Sequence, residues 1–419
     1  MTKTVRLSNG VRVVMEAMPQ VRSVSFGIWV RNGSRNEMPR ENGISHFIEH
    51  MLFKGTKERT AAEIADHMDA IGGQLNAYTA KEYTAYYTRV LDSHFDTALD
   101  VLADMFFCSQ FAGDEIAKER NVILEEIAMY EDTPEDLVHD LLQASLWRGD
   151  SLGAPILGTE ESINAFDHAM LKAYFTDHYC PENTVLAIAG NFDEAAVIEK
   201  FEERFKAFPR SAYSFPSFET DYQPCFVKKE KDIEQLHLCM SFPGLPLGSE
   251  LTYDMAVLNT LFGGGMSSRL FQNIREKNGL VYSIYSYGTG YTGTGIMTVY
   301  AALNPAQMKE AVKLIIQETQ RMCCEPIDGQ TLRNTKEQLK SNYMLGLEST
   351  SSVMSSIGKA ELMLGRVLSP DEMIARIEAV TVDSIYALSQ SIFDLEQVSM
   401  SAVGKVQDLV WEEVLGYVK

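Results

Sequence analysis

Cysteine and histidine are scarce in this chain of 419 residues, which contains six cysteines and eight histidines. No two cysteines have C-x-x-C spacing, and six are too few to form a disulfide scaffold for a chain of this length. We interpret them as core or surface thiols in a reducing compartment. A metal site would therefore have to be built from histidine and carboxylate side chains.

Long apolar runs and an excess of basic residues are also missing. No stretch of about 18 apolar residues occurs, so no membrane-spanning helix is predicted. The first twenty residues lack the apolar core of a signal peptide, and we expect a cytoplasmic protein. The formal net charge of −21 would repel the phosphates of nucleic acid. An acidic balance can simply maintain solubility, or it can suit a basic peptide, and composition leaves both interpretations open.

The order of sequence patterns along the chain indicates a duplicated domain, within a length that predicts two or three domains. Strand-like alternation, two helical segments, further strands and paired long helices lead to the strand-like ENTVLAIAGNF. A similar order returns later and ends at VSMSAVGKV. The stretch FPRSAYSFPSFETDYQPC carries three prolines and suits neither a helix nor an inner strand. We predict a first domain at residues 1–212, a linker at 213–228 and a second domain at 229–419.

The segment GISHFIEHMLFKGT places two histidines and a glutamate within five residues of one predicted helix. His46 and His50 are four residues apart, so their imidazoles share a face, with Glu49 beside them. Two neutral imidazoles suit Zn²⁺, which in catalytic sites takes a third protein ligand and leaves a position for water. H-x-x-E-H is a zinc peptidase motif in which the glutamate acts as the base. Two surface histidines without a function are the alternative, but the apolar neighbours would make such bare ionisable groups costly to bury.

A third ligand is expected from a carboxylate or a histidine on another element. The segment KERNVILEEIAMYED offers Glu119 and Glu126, which are seven residues apart and share a helix face. From composition alone, a solvated acidic helix would be the better interpretation. We expect Glu125, Glu131 and Asp132 to be solvated residues of this kind.

Four segments together resemble the pitrilysin-type zinc metallopeptidases, the inverzincins, and within them the branch of mitochondrial processing peptidase and short bacterial processing proteases. These segments are NGVRVVMEAMPQVRSVSFGIWVRNGSRNE, GISHFIEHMLFKGT, GGQLNAYTAKEYTAYY and ERNVILEEI. The resemblance implies that Glu126 is the third zinc ligand and that Glu119 supports the site. It also implies that a peptide binds as an added strand along LNAYT, at Asn76 and Ala77. Without the resemblance, Asn76 is equally well explained as a turn residue.

The second half of the chain carries candidates for substrate handling and lacks the metal ligands. SSRLFQNIREKNGLVYSIYS matches the family's arginine–tyrosine pair at Arg275 and Tyr282, for which the resemblance implies binding of the substrate carbonyl and the oxyanion. The triple glycine at 263–265 resembles the glycine-rich loop of the processing peptidase's non-catalytic partner. No G-K-[ST] follows it, so we exclude a nucleotide-binding loop. Alignment of the two halves places four non-ligating residues opposite His46, Glu49, His50 and Glu126: Met255, Leu258, Asn259 and Lys340.

These observations predict an α+β fold with two similar domains, each an antiparallel-rich β-sheet with helices packed on one face. Proteins that the chain resembles close four such domains around a chamber, so we expect a homodimer in which Arg275 and Tyr282 approach the zinc of the other subunit. The predicted activity is endoproteolysis of unfolded or presequence-like peptides. Each chain is expected to bind one Zn²⁺, for which other divalent metals can substitute. A non-catalytic subunit resembling respiratory core proteins, and a catalytic chain that needs an unlike partner, are the alternatives.

Overall fold

The computed structural model describes residues 2–211 and 218–416, and the chain divides into two compact units. The first unit comprises Met1–Ala128, Ala154–Pro216 and Met344–Ser369. The second unit comprises Met129–Gly153, Ser217–Tyr343 and Pro370–Lys419. Each unit therefore combines segments from both halves of the sequence.

One β-sheet forms the centre of each unit. The strands are, in chain order, β1 (Lys3–Arg6), β2 (Arg12–Ala17), β3 (Ser23–Val30), β4 (Gln74–Thr79), β5 (Thr84–Leu91), β6 (Thr184–Gly190), β7 (Phe226–Glu230), β8 (Leu236–Pro243), β9 (Val281–Tyr291), β10 (Thr294–Leu303) and β11 (Ser399–Gly404). The first sheet has the order β1-β2-β6-β3-β5-β4, and the second has the order β7-β11-β8-β10-β9.

The helices account for most of the remaining described residues. They are α1 (Ile44–Leu52), α2 (Ala61–Ala70), α3 (Phe95–Cys108), α4 (Gly113–Glu131), α5 (Pro134–Leu146), α6 (Glu160–Ala165), α7 (His168–His178), α8 (Glu194–Phe205), α9 (Thr252–Phe262), α10 (Met308–Cys324), α11 (Gly329–Gly346), α12 (Thr350–Leu364), α13 (Pro370–Ala379), α14 (Val382–Ile392) and α15 (Trp411–Leu415). A π-helical segment, Phe271–Lys277, precedes β9. Every helix in the described part of the chain is too short or too polar to cross a lipid bilayer.

The two sheets have the same topology. With β1 set aside, the order β2-β6-β3-β5-β4 matches β7-β11-β8-β10-β9 strand for strand. In each sheet the first of these pairs is parallel and the other pairs are antiparallel. The predicted α+β fold with two similar, antiparallel-rich domains is confirmed.

Alternating side chains of the first sheet point into two different cores. Val13 faces a core that includes residues of α1, α3, α7 and α8. Its neighbour Val14 faces the opposite way and packs with Trp29 and with α12 residues such as Met354. Helices therefore lie on both faces of this sheet, and not on one face as predicted, with α12 on the second face.

The second sheet repeats this arrangement with a helix from the first half of the chain. Leu238 and Met240 pack in a core with residues of α9, α10 and α14. Between them, Cys239 faces α5 residues such as Val138. A strand with two apolar faces needs cover on both sides, and here the second cover comes from a distant part of the sequence.

The predicted domain boundaries need correction at these two helices. Residues 129–153, expected in the domain 1–212, belong to the second unit, and residues 344–369, expected in the domain 229–419, belong to the first. Part of the predicted linker, 213–217, lies outside the described residues. The last predicted linker residues, 226–228, already belong to β7, because they pair in parallel with β11.

Candidate metal centre and active site

Helix α1 carries the histidine motif and is fixed by its apolar face. Five of its side chains are at most 1% exposed: Ile44, Phe47, Ile48, Met51 and Leu52. Burial of each contributes on the order of 2 kcal/mol, so the rotation of the helix about its axis is strongly determined. The helix follows Gly43, whose φ of +92° is left-handed, and a Cβ there would approach Gly158 Cα and Leu157 O to 2.7 Å. Only glycine fits this entry to the helix.

A buried carboxylate outside the helix binds the free N–H groups at its start. Glu37 accepts hydrogen bonds from the backbone N–H of Gly43 (2.8 Å) and of Ser45 (2.9 Å). The side-chain amide of Asn42 donates a third bond at 3.2 Å. A negative charge is favourable at this end of a helix, where N–H groups lack partners within the helix. Glu37 thus anchors the end of α1 that precedes His46.

The side chains of His46, His50 and Glu126 converge on one point. Glu126 Oε2 on α4 lies 3.7 Å from His46 Nε2 and 3.7 Å from His50 Nε2. The three ligand atoms all lie within 4.8 Å of one another. These separations are too long for direct hydrogen bonds. Two ligands of one tetrahedral zinc ion are about 3.4 Å apart, so the donor set and its spacing fit Zn²⁺.

Burial keeps the lone pair of His46 available. The ring is almost wholly enclosed, and burial, followed by the proximity of His50, lowers the pKa of His46 to about 3. The imidazole is therefore neutral near pH 7, which is the form that binds a metal. His46 Nδ1 is buried and has no hydrogen-bond partner among the described residues. The other ring nitrogen of His46, Nε2, faces Glu126.

A second carboxylate on α4 orients His50. Glu119 Oε2 lies 3.0 Å from His50 Nδ1, and the Glu119 residue is only 3% exposed. This contact places the ring proton on Nδ1 and leaves Nε2 free to bind a metal. The structure thus places Glu119 beside His50 and one heptad before Glu126.

The third ionisable residue of the motif, Glu49, faces the end of strand β4. Glu49 Oε2 accepts a hydrogen bond of 2.6 Å from Thr79 Oγ1. Burial is the main cause that raises the pKa of Glu49 above its ordinary value. A carboxylate with a raised pKa that is held by one hydrogen bond is suited to accept and return a proton.

Strand β4 forms an edge of the first sheet and ends beside Glu49. It pairs with β5 on one side and is the last strand in the sheet order. Asn76 and Ala77 lie in its middle, where the Ala77 N–H donates to Asn76 Oδ1 at 2.8 Å. Such an edge is suited to pairing with an extended peptide through main-chain hydrogen bonds.

One loop supports both the edge strand and the metal helix. The N–H groups of Ser34 and Arg35 donate to Ala80 O (3.3 Å) and Lys81 O (2.7 Å) in the turn after β4. The buried guanidinium of Arg35 also pairs with Glu82 at 2.7 Å. Glu37 in the same loop binds the start of α1, so this loop contacts both α1 and the turn after β4.

Arg275 and Tyr282 lie in the second unit, and both side chains are exposed. The Arg275 guanidinium lies 4.8 Å from the centre of the Phe271 ring. Tyr282 is 72% exposed at the start of β9. Within this unit, neither side chain is committed to the core.

The second unit has no counterpart of the metal ligands in the helix that matches α1. Met255 and Leu258 of α9 are buried in the apolar core. Asn259 accepts a hydrogen bond of 2.8 Å from Ser286 Oγ, and Lys340 pairs with Glu337. Within residues 2–211 and 218–416, the first unit alone has a histidine and carboxylate cluster suited to a metal.

Three residues of the site were missed by sequence reasoning: Thr79, Glu37 and Lys54. Thr79 had a usable signal, because it closes the LNAYT segment that was predicted to bind substrate. Lys54 lies two residues beyond the end of α1, and its Nζ lies 2.7 Å from Glu119 Oε1. Glu37 had no such signal, because its role depends on a loop that turns back onto α1.

Comparison with known families and proteins agrees with the predicted resemblance. Residues 12–160 match the family described as Insulinase (Peptidase family M16), and residues 165–339 match the Peptidase M16 inactive domain. The chain is 46% identical over 396 residues to the zinc protease YmxG of Bacillus subtilis, covering 94% of this chain and 96% of that protein. It is 40% identical to a zinc protease of Streptomyces coelicolor, covering 96% of this chain and 89% of that protein.

Solved structures share the fold at lower sequence identity. A protease from Helicobacter pylori superposes with a TM-score of 0.89 and 20% identity, covering 96% of this chain and 99% of that chain. A chain of complex III2 from Candida albicans superposes with a TM-score of 0.84 and 22% identity, covering 99% of both chains. The fold is thus found in a protease and in a chain of complex III2.

Proposed function

Because the chain belongs to peptidase family M16, the insulinase family, we propose that it is a zinc-dependent endopeptidase that cleaves unfolded peptides. The convergence of His46, His50 and Glu126, with Glu49 beside them, is the observation that carries this proposal. The relatives named zinc proteases support the choice of metal and of reaction.

The three converging side chains would hold the metal, one ion per chain. A zinc ion bound there would lower the pKa of a water molecule and polarise the scissile carbonyl. Glu119 keeps the Nε2 lone pair of His50 directed at the site. Other divalent ions with similar ligand preferences can occupy the same donors.

Glu49 acts as the general base and then as the general acid. Its carboxylate accepts a proton from the attacking water and passes it to the amine of the leaving peptide. The hydrogen bond from Thr79 fixes the carboxylate at the end of β4 during both transfers. The raised pKa brings the protonated and ionised forms of Glu49 closer in free energy, which makes the return of the proton easier.

The edge of β4 would bind the substrate in extended form. Backbone hydrogen bonds along Asn76 and Ala77 hold a peptide of almost any sequence, and side-chain pockets then select among peptides. A folded protein does not offer a free strand to such an edge, so unfolded segments and presequence-like peptides are the expected substrates. The net charge of −21 favours basic peptides among them.

We further propose a cytoplasmic homodimer with an enclosed chamber. Arg275 and Tyr282 of one subunit would bind the substrate carbonyl and the oxyanion at the metal centre of the other, where charge develops. Both residues are exposed in the second unit and thus available for this role. A single chain type carries all the residues that the mechanism needs.

A non-catalytic subunit is the less favoured function. The fold also occurs in a chain of complex III2, so the fold alone does not decide between the two functions. The chain retains three convergent ligands and a base, which a purely structural subunit does not require.

The test is an assay of the purified chain on a library of unstructured peptides. We expect internal cleavage that a chelator abolishes and that added Zn²⁺ restores. Cleavage insensitive to the chelator would contradict the metal mechanism. Activity that appears only after addition of a different chain would instead identify an obligatory unlike partner.

A further inference from the structure

Lys54 contacts the metal centre through one buried carboxylate. Its Nζ lies 2.7 Å from Glu119 Oε1, while the other oxygen of Glu119 lies 3.0 Å from His50 Nδ1. Both oxygens of Glu119 are therefore occupied, one by a cation and one by a ring N–H. Lys54 is about one-third exposed, whereas the Glu119 side chain is 5% exposed.

The charges of the centre explain why a cation is needed there. Three carboxylates, those of Glu49, Glu119 and Glu126, lie at or beside the two imidazoles. A buried carboxylate is costly without a partner, and the ammonium group of Lys54 is that partner for Glu119. The same contact fixes the rotamer of Glu119, so that its other oxygen stays beside His50 Nδ1.

We propose that Lys54 is a positioning residue that holds Glu119 in one rotamer, so that His50 keeps its Nε2 lone pair on the metal. This inference rests on the proposed zinc-dependent function. If Lys54 positions Glu119, removal of its charge should weaken Zn²⁺ binding, which is the opposite of what charge repulsion alone predicts. An ammonium group that acted only by its charge would weaken metal binding, and its removal would tighten it.

Lys54→Met tests the inference, because it keeps the length of the side chain and removes its charge. We expect the Kd for Zn²⁺, measured by competition with a chelator of known affinity, to rise about 10-fold or more. We also expect kcat at saturating Zn²⁺ to fall more than KM changes. Lys54→Arg should restore both quantities to within about 3-fold of the unmodified chain, because a guanidinium also pairs with a carboxylate.

Lys118→Met is the matched control on the helix that carries Glu119. Lys118 makes an exposed ion pair of 2.6 Å with Glu115, so its removal should leave the Kd for Zn²⁺ unchanged. A second test introduces Lys54→Met into a Glu119→Gln chain and compares the double variant with Glu119→Gln alone. Lys54→Met should have no further effect on Zn²⁺ affinity there, because its route to the metal is already lost.

Several outcomes would overturn the role of Lys54. They are an unchanged or tighter Zn²⁺ affinity in K54M, a K54R chain as weak as K54M, or a full effect of K54M in the E119Q chain. If K54M does not fold by circular dichroism, K54R and K54Q are compared in the same way, and equal affinities would reject the proposal. Failure of the unmodified chain to bind Zn²⁺ or to cleave peptides would instead reject the proposed function itself.

Discussion

Glu49 differs from the neighbouring carboxylates in the group that holds it. Glu126 faces two imidazoles, and Glu119 pairs with Lys54 and His50. Glu49 accepts its hydrogen bond from Thr79, a neutral hydroxyl, and has a raised pKa because it is buried. A neutral partner leaves the carboxylate able to take up a proton, whereas a cationic partner would oppose this.

Glu49→Gln should separate metal binding from catalysis. Glutamine keeps the shape and can still accept the Thr79 hydrogen bond, but it cannot accept a proton from water. We expect kcat to fall by about 10³-fold or more, with the Kd for Zn²⁺ changed less than about 3-fold. Steady-state kinetics and chelator competition measure the two quantities. Glu125→Gln, at an exposed position beside Glu126, is the control and should behave like the unmodified chain.

At the scale of elements, helix α1 depends on a buried acid outside the helix. Glu37 accepts bonds from Gly43, Ser45 and Asn42, yet its burial outweighs them and raises its pKa from 4.5 to about 7. The folded chain therefore binds this proton more tightly than the unfolded chain does between those two pH values. The stabilising contribution is complete below about pH 4.5 and declines as the pH rises through about 7.

Glu37→Gln should remove this pH dependence. The free energy of unfolding of the unmodified chain should fall relative to that of E37Q by up to roughly 3 kcal/mol between pH 4.5 and pH 7.5. Urea unfolding of both chains, followed by circular dichroism at several pH values, measures the difference. A constant difference across this range, or one of the opposite sign, would show that Glu37 is not the titrating group.

Helix α12 packs against the first sheet at a glycine. A Cβ on Gly358 would lie 2.7 Å from Trp29 Nε1 and 2.9 Å from Ala187 Cβ, and both neighbours are wholly buried. Contacts this short force the helix away from the sheet. The small size of Gly358 thus permits α12 to cover this face.

Gly358→Ala should destabilise the fold by about 1–3 kcal/mol, although alanine is the better helix former by about 1 kcal/mol. The steric term dominates because the contacted ring cannot move. Gly346→Ala is the matched control, since a Cβ there meets no atom within 4 Å. We expect thermal unfolding to show a lower Tm for G358A and an unchanged or higher Tm for G346A. A Tm that rises in both variants would show that α12 is not closely packed against the sheet at Gly358.

At the scale of the whole molecule, the second unit repeats the sheet of the first unit but, among the described residues, not its cluster of metal ligands. The second sheet keeps the strand order of the first, but α9 has apolar residues and Asn259 where α1 has its motif. One unit therefore has the residues that suit a metal, and Arg275 and Tyr282 lie in the other. The proposed homodimer would combine the two sets of residues at each metal centre.

A mixing experiment tests whether the site is shared between subunits. A Glu49→Gln chain and a Tyr282→Phe chain, each inactive alone, are combined and the mixed dimer is isolated by two affinity tags. If Tyr282 acts on the partner's metal centre, one of two sites is intact and activity reaches about half that of the unmodified dimer. Isolated mixed dimers without activity would refute a shared site.

The sequence by itself determined the features that depend on short spacings. Residues four apart on a helix share a face whatever surrounds them, so His46 and His50 were assigned as a pair without the structure. The repeated order of strand and helix patterns likewise indicated two similar domains. Resemblance to a family, and not spacing, singled out Glu126 among the acids of α4.

Only the tertiary structure decided which distant residues meet. The contacts of Glu49 with Thr79, of Lys54 with Glu119 and of Glu37 with the start of α1 join different elements, and no local period records them. For the same reason, the sequence did not show that α12 packs on the first sheet and α5 on the second. An amphipathic helix shows that it has an apolar face, but its sequence does not say which sheet that face will cover.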